Sequence, residues 1–81
     1  MEAKLVLFSL KACPGCLAVR DRLADLGLTY VCVNVSKDRN NRPQVLEASG
    51  QPLVPVLMDD GEVFASEKDI LNHLDQAYGK V

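Results

Sequence analysis

The chain has 81 residues, 48% hydrophobic and 25% charged, with a net charge of −2. That leaves room for one domain with one modest core, and an acidic balance offers nucleic acid no basic face. No apolar run approaches membrane-spanning length, so neither nucleic acid nor membrane is an expected partner. The apolar stretch Leu5 to Phe8 is too short for a signal peptide and has no small-residue cleavage site, which makes a reducing cytoplasm the expected compartment. Three cysteines, two of them close in sequence, do not suit a structural disulfide scaffold.

In chain order, Leu5-Val6-Leu7-Phe8 is a continuous apolar run that suits a strand buried on both faces. Residues Pro14 to Leu26 carry apolar side chains at Cys16, Val19, Leu23 and Leu26, a 3-4-3 spacing that predicts one helix face, closed by Gly27. Thr29 to Val35 alternates, with Val31, Val33 and Val35 on one face and Tyr30, Cys32 and Asn34 on the other, as in a strand. Pro43 to Ser49 reads as a short helix ended by Gly50. Val54 to Met58 and Glu62 to Ala65 form a hairpin through Asp59-Asp60-Gly61. The last helix begins at Ser66, with Asp69 completing a capping-box pattern, and buries Ile70, Leu71, Leu74, Ala77 and Tyr78 before Gly79. The order β-α-β-α-β-β-α predicts an α/β domain. Its first two strands should be parallel and the hairpin antiparallel, in a four-stranded mixed sheet flanked by three helices.

The chemistry concentrates in Cys13-Pro14-Gly15-Cys16, where a strand gives way to a helix. Proline suits the first helical position, because its missing N–H would have no intrahelical partner there. Cys13 is then the N-cap, where free N–H groups and the helix dipole favour an anion on its sulfur. Cys16 falls on the apolar helix face and should be the less accessible thiol. Lys11, two residues upstream, can stabilise the Cys13 thiolate or meet a substrate carboxylate. A zinc site would need two ligands beyond this pair. Only Cys32, expected to be buried mid-strand, and His73, expected on the polar side of the last helix, remain. No metal is expected.

Three separated motifs, Cys13-Pro14-Gly15-Cys16, Leu53-Val54-Pro55 and Ser66-Glu67, resemble those of the glutaredoxins, small members of the thioredoxin fold, over nearly the whole chain. The resemblance implies a single glutaredoxin-like domain over residues 1–81, with Cys13 as nucleophile and Cys16 as resolving thiol. It further implies a cis Val54-Pro55 bond whose Val54 backbone pairs with a cysteinyl substrate; the alternative is a trans proline at a strand start. Glutaredoxins hold the γ-glutamyl carboxylate of glutathione at the last helix. There Ser66 would meet the carboxylate and Glu67 the ammonium, the alternative being that both residues only start the helix. Arg42 and Gln51 are candidates for the ligand's other carboxylate.

The chain departs from the pattern at three places. Gly15 stands where an aromatic residue is common, Phe64-Ala65 replaces a frequent Gly-Gly, and Leu53 replaces a frequent Thr. The amino-terminal domain of glutathione transferases looks similar, although that family orders the pair Glu-Ser and adds a helical domain not found in these 81 residues. The expected function is a thiol–disulfide oxidoreductase that reduces protein disulfides or glutathione mixed disulfides through Cys13 and Cys16. It would be a monomer with no bound cofactor and with glutathione or another small thiol as co-substrate. The alternatives are a redoxin recharged by thioredoxin reductase, whose relatives often carry a Trp absent here, and an iron–sulfur cluster module, against which Pro14 argues.

Overall fold

The computed structural model describes residues 4–11, 13–38 and 40–79. Its elements are β1 (Leu5–Ser9), α1 (Pro14–Asp25), β2 (Val31–Asn34), α2 (Pro43–Ser49), β3 (Val56–Asp59), β4 (Glu62–Phe64) and α3 (Glu67–Tyr78). The strands lie in the order β2-β1-β3-β4. β1 runs parallel to β2 and antiparallel to β3, and β3 is antiparallel to β4. This is the mixed sheet that the order of elements predicts.

Alternation along β1 divides the core between the two faces of the sheet. Leu5 and Leu7 join Leu57 under α1 and α3, which contribute Val19, Leu23, Ile70 and Leu74. Phe8 and Val56 face the other way, towards Val45 of α2 and Val35. Each fully buried aliphatic side chain stabilises the fold by about 1.5–3 kcal/mol. At the hairpin, Asp59 pairs with Glu62, so Asp60-Gly61 is a two-residue loop with φ of 53° and 90°. Positive φ at both positions is what a type I′ turn requires, and Asp-Gly supplies it with little steric cost.

Several boundaries and faces differ from expectation. β3 begins at Val56 because Pro55 has no N–H to give the ladder, and it extends one residue further, to Asp59. β2 spans only Val31–Asn34, and Cys32, expected to be buried, is exposed. Cys32 is on the α1–α3 face but on an edge strand, beyond the cover of helices that pack over the central strands. Its Sγ lies 3.2 Å from Ser9 Oγ. Val31 is likewise exposed at that edge. Ala77 is exposed too, because it falls at the margin of the stripe that Ile70, Leu71, Leu74 and Tyr78 define.

His73 is the largest departure from the amphipathic reading of α3. It is half-buried, stacked on Phe64 with ring centroids 4.0 Å apart, and its Nε2 lies 2.7 Å from Asp59 Oδ2. Tyr78 donates its hydroxyl to the same oxygen at 2.8 Å, while Lys4 Nζ sits 5.5 Å from the Tyr78 ring centre. Asp59 thus ties the end of β3 to α3. Burial pushes its carboxyl pKa up, but the hydrogen bonds from His73 and Tyr78, helped by the charges of Lys4 and His73, outweigh that and hold it below the usual carboxylate range. A folded value below the unfolded one contributes stability above the unfolded value of about 3.9, lost as pH falls through the folded value. Asp59→Asn is expected to cost about 1–3 kcal/mol in urea unfolding at pH 7. Its deficit relative to the wild type should shrink below about pH 4; a deficit independent of pH would remove the carboxylate as its source.

Candidate active site

β1 delivers the Cys13-Pro14-Gly15-Cys16 motif at its own carboxyl end. After Ser9 the chain turns through Leu10, whose carbonyl accepts from the Cys13 N–H at 3.1 Å, and Pro14 opens α1. Cys13 keeps extended backbone geometry (φ −90°, ψ 117°), as an N-cap must. Its Sγ accepts the Cys16 N–H at 3.3 Å, so the sulfur takes the place of the usual capping oxygen. The first turn of α1 contains no acidic residue to oppose negative charge at that end.

The two thiols are free and differ sharply in environment. Cys13 is half-buried, whereas Cys16 has no exposed surface, as its place on the apolar helix face predicts. Burial pushes the Cys16 thiol up to about 11, and its hydrogen bond to Cys13 pushes in the same direction, while the Leu10 N–H on its sulfur at 3.4 Å acts against both. Cys16 is therefore a thiol, not a thiolate, at neutral pH. Brief alkylation with iodoacetamide at pH 7 is expected to mark Cys13 and Cys32 and to leave Cys16 unmodified by mass spectrometry. Labelling of Cys16 should rise as pH approaches 11; equal labelling of all three at pH 7 would contradict this ordering.

Two further motifs close around the Cys13–Cys16 loop. The Val54-Pro55 bond is cis, as the family resemblance implies, with Pro55 buried and Val54 half-buried. Ser66 is the N-cap of α3, its Oγ accepting the Asp69 N–H at 3.1 Å. Glu67, the next residue, reaches across to α1: a Cβ built on Gly15 would lie 2.9 Å from Glu67 Oε1 and 3.4 Å from Pro55 Cδ. The three motifs thus meet at Gly15, a residue that the sequence marks only as a missing aromatic.

Other sequence candidates are placed elsewhere. Lys11 is exposed in the turn before Cys13, and Gln51 is exposed in the loop after α2. The structure gives Arg42 partners within the protein. Its side chain is buried and donates to three backbone carbonyls, those of Ser36 (2.7 Å), Pro52 (2.8 Å) and Lys37 (3.4 Å). A loop with buried carbonyls must find donors, and the guanidinium fork supplies several from one side chain. Arg42→Met is expected to lower stability by about 2–4 kcal/mol through those orphaned carbonyls. Disulfide exchange per folded molecule should be retained; loss of exchange without loss of stability would return Arg42 to the ligand site. Among the described residues no group of three or more His, Cys, Asp or Glu is placed to hold a metal ion, and no helix is long and apolar enough to cross a membrane.

Residues 7–81 match the family model of the glutathione S-transferase N-terminal domain. The chain belongs to that family. The inverted order of Ser66 and Glu67 does not remove it from that domain family. A glutaredoxin-like relative supports the other side of the resemblance: the uncharacterized glutaredoxin-like 8.6 kDa protein in the rubredoxin operon of Clostridium pasteurianum is 32% identical over 57 residues, 70% of this chain and 76% of that protein. Among solved structures, rice GST1 in complex with glutathione superposes with a TM-score of 0.86 at 26% identity, over 98% of this chain and 35% of that one. Glutathione transferase E6 of Drosophila melanogaster gives a TM-score of 0.81 at 37% identity, over 93% and 35% respectively. A glutathione transferase homologue of Drosophila mojavensis with bound glutathione gives 0.84 at 30% identity, over 98% and 37%. This transferase-type domain is a thioredoxin-like α/β fold that spans little more than a third of those structures.

Proposed function

We propose that this domain is a glutaredoxin-type thiol–disulfide oxidoreductase, with Cys13 as nucleophile and Cys16 as resolving thiol. The observation that carries the reading is the asymmetry of the pair. One half-buried sulfur caps a helix and accepts a backbone N–H, while the other is buried and held protonated three residues on. Attack needs an accessible thiolate, and resolution needs a second thiol that stays silent until the first has reacted.

The Cys13 thiolate attacks one sulfur of a disulfide, forming a mixed disulfide and expelling the other sulfur as a thiolate. Cys16 then gives up its proton and attacks Cys13 Sγ, which closes the Cys13–Cys16 disulfide and releases the second substrate thiol. Two glutathione molecules, or a reductase protein, return the two electrons. Burial, the main cause of the raised Cys16 pKa, persists through the reaction. The hydrogen bond to Cys13 and the Cys13 charge also raise it, and losing both on formation of the mixed disulfide favours ionisation of Cys16 after the first attack. Val54, beside the cis Pro55, would pair its backbone with a cysteinyl substrate. Ser66 and Glu67 would receive the γ-glutamyl end of glutathione, a ligand present in the rice and Drosophila mojavensis structures.

Cys13→Ser is expected to lower exchange with every disulfide substrate by about three orders of magnitude or more, since no thiolate remains to attack. Cys16→Ser should keep the reduction of glutathione mixed disulfides, which a second glutathione can complete, and lose the reduction of protein disulfides. Equal loss from both substitutions on a glutathionylated substrate would sink this division of roles. Running the wild type with glutathione and glutathione reductase, in parallel with thioredoxin reductase, identifies the electron donor. Turnover with thioredoxin reductase alone would overturn the glutathione part of the proposal.

A further inference from the structure

Gly15 has no backbone reason to be glycine. It lies in the first turn of α1 and does not have the positive φ that favours a residue without a side chain. A glycine inside a helix is less favourable than alanine, so the position gives up helix stability for something else. What it gains is room. A Cβ there would stand 2.9 Å from Glu67 Oε1, closer than carbon and oxygen pack, with Pro55 Cδ at 3.4 Å. The clashing atom is the free end of a flexible side chain, so a methyl group at this position would turn the Glu67 carboxylate away and leave the backbone in place.

We propose that Gly15 is a positioning residue for substrate selection. Its missing side chain lets the Glu67 carboxylate lie on the Cys13–Cys16 loop beside Pro55, where it receives the ammonium of a γ-glutamyl thiol. This rests on the reading that Glu67 meets that group, and it adds the element that determines where the carboxylate stands. Capping alone does not explain the arrangement. Glu67 is exposed, and Asp69 also supplies negative charge to the first turn of α3, so the dipole does not require the Glu67 carboxylate to lie against Gly15. A side chain at position 15 and the carboxylate compete for one space, so the residue at 15 decides whether the loop presents a charge to the incoming small thiol.

The test uses one peptide carried as two mixed disulfides, one with glutathione and one with 2-mercaptoethanol. Reduced protein is mixed with each in a single turnover, which closes the Cys13–Cys16 disulfide and releases the peptide thiol and the small thiol. Wild type, Gly15→Ala, Glu67→Gln and the double variant are compared. Gly15→Ala is expected to raise the half-saturating concentration of the glutathionyl peptide about tenfold, the scale of one charge-assisted contact. Its limiting rate, its action on the mercaptoethanol peptide and its melting temperature should hold or, for the last, rise. Adding Gly15→Ala to Glu67→Gln should change nothing further, because the carboxylate is already gone. Selective loss in Glu67→Gln without loss in Gly15→Ala, or effects that multiply in the double variant, would overturn the role of Gly15 and leave the glutathione reading standing. Equal slowing of both peptides by Gly15→Ala would also overturn it, by placing the residue's role in the thiol pair. No selective loss in Glu67→Gln would overturn the glutathione reading of Glu67 and this proposal with it.

Discussion

A helix that begins on proline leaves its next N–H groups without partners, and in this domain the group that answers them is a thiol. Pro14 has no N–H, Cys16 does, and the Cys13 sulfur three residues earlier accepts it. That contact requires Cys13 to remain extended, so the end of β1 must arrive at α1 in one orientation only. It requires α1 to lie firmly on the sheet, which Val19 and Leu23 ensure by packing with Leu7 and Leu57. The placement of the reactive sulfur is thus an outcome of how the central strand and the first helix are joined, and the other elements hold that joint in place.

The fold by itself decides no reaction: the chain matches both the glutathione S-transferase N-terminal domain and a glutaredoxin-like relative. A second thiol is what distinguishes a site able to release a protein substrate by itself. Here the second thiol, Cys16, is buried on the α1 face that also builds the core, so in the proposed function one helix stripe would serve both resolution and packing.

Features governed by local rules were legible in the sequence. Apolar spacing located α1 and α3, Asp60-Gly61 dictated the hairpin, Ser66 announced a cap, and Pro14 opened a helix one residue after a cysteine. The cis Val54-Pro55 bond was not readable from composition and came through family resemblance. Features that depend on how far one element extends over another were not legible. Alternation assigned Cys32 to the correct face of β2, yet no pattern tells that the covering helices stop short of that edge. Helical periodicity put His73 on the polar side, but the strand end beneath it carries a carboxylate that draws it inward. Arg42 is a candidate for a ligand carboxylate in the sequence because no pattern there reveals that the two ends of its own β2–β3 connection turn three carbonyls onto it. Gly15 registered only as a departure from a family habit, since its meaning depends on a side chain 52 positions away, at Glu67.

The Arg42 clamp bears on how the molecule opens. Its guanidinium joins carbonyls at the start and the end of the excursion between β2 and β3, at Ser36, Lys37 and Pro52. α2 has seven residues and Val45 as its buried anchor, too little to be stable in isolation. The clamp, α2 and the loop that leads into Val54-Pro55 are therefore expected to open together. In native-state hydrogen exchange the three would give a shared opening free energy below that of the β1–β3 pairing. A substrate that paired with Val54, as proposed, would then also slow the exchange of α2 amides.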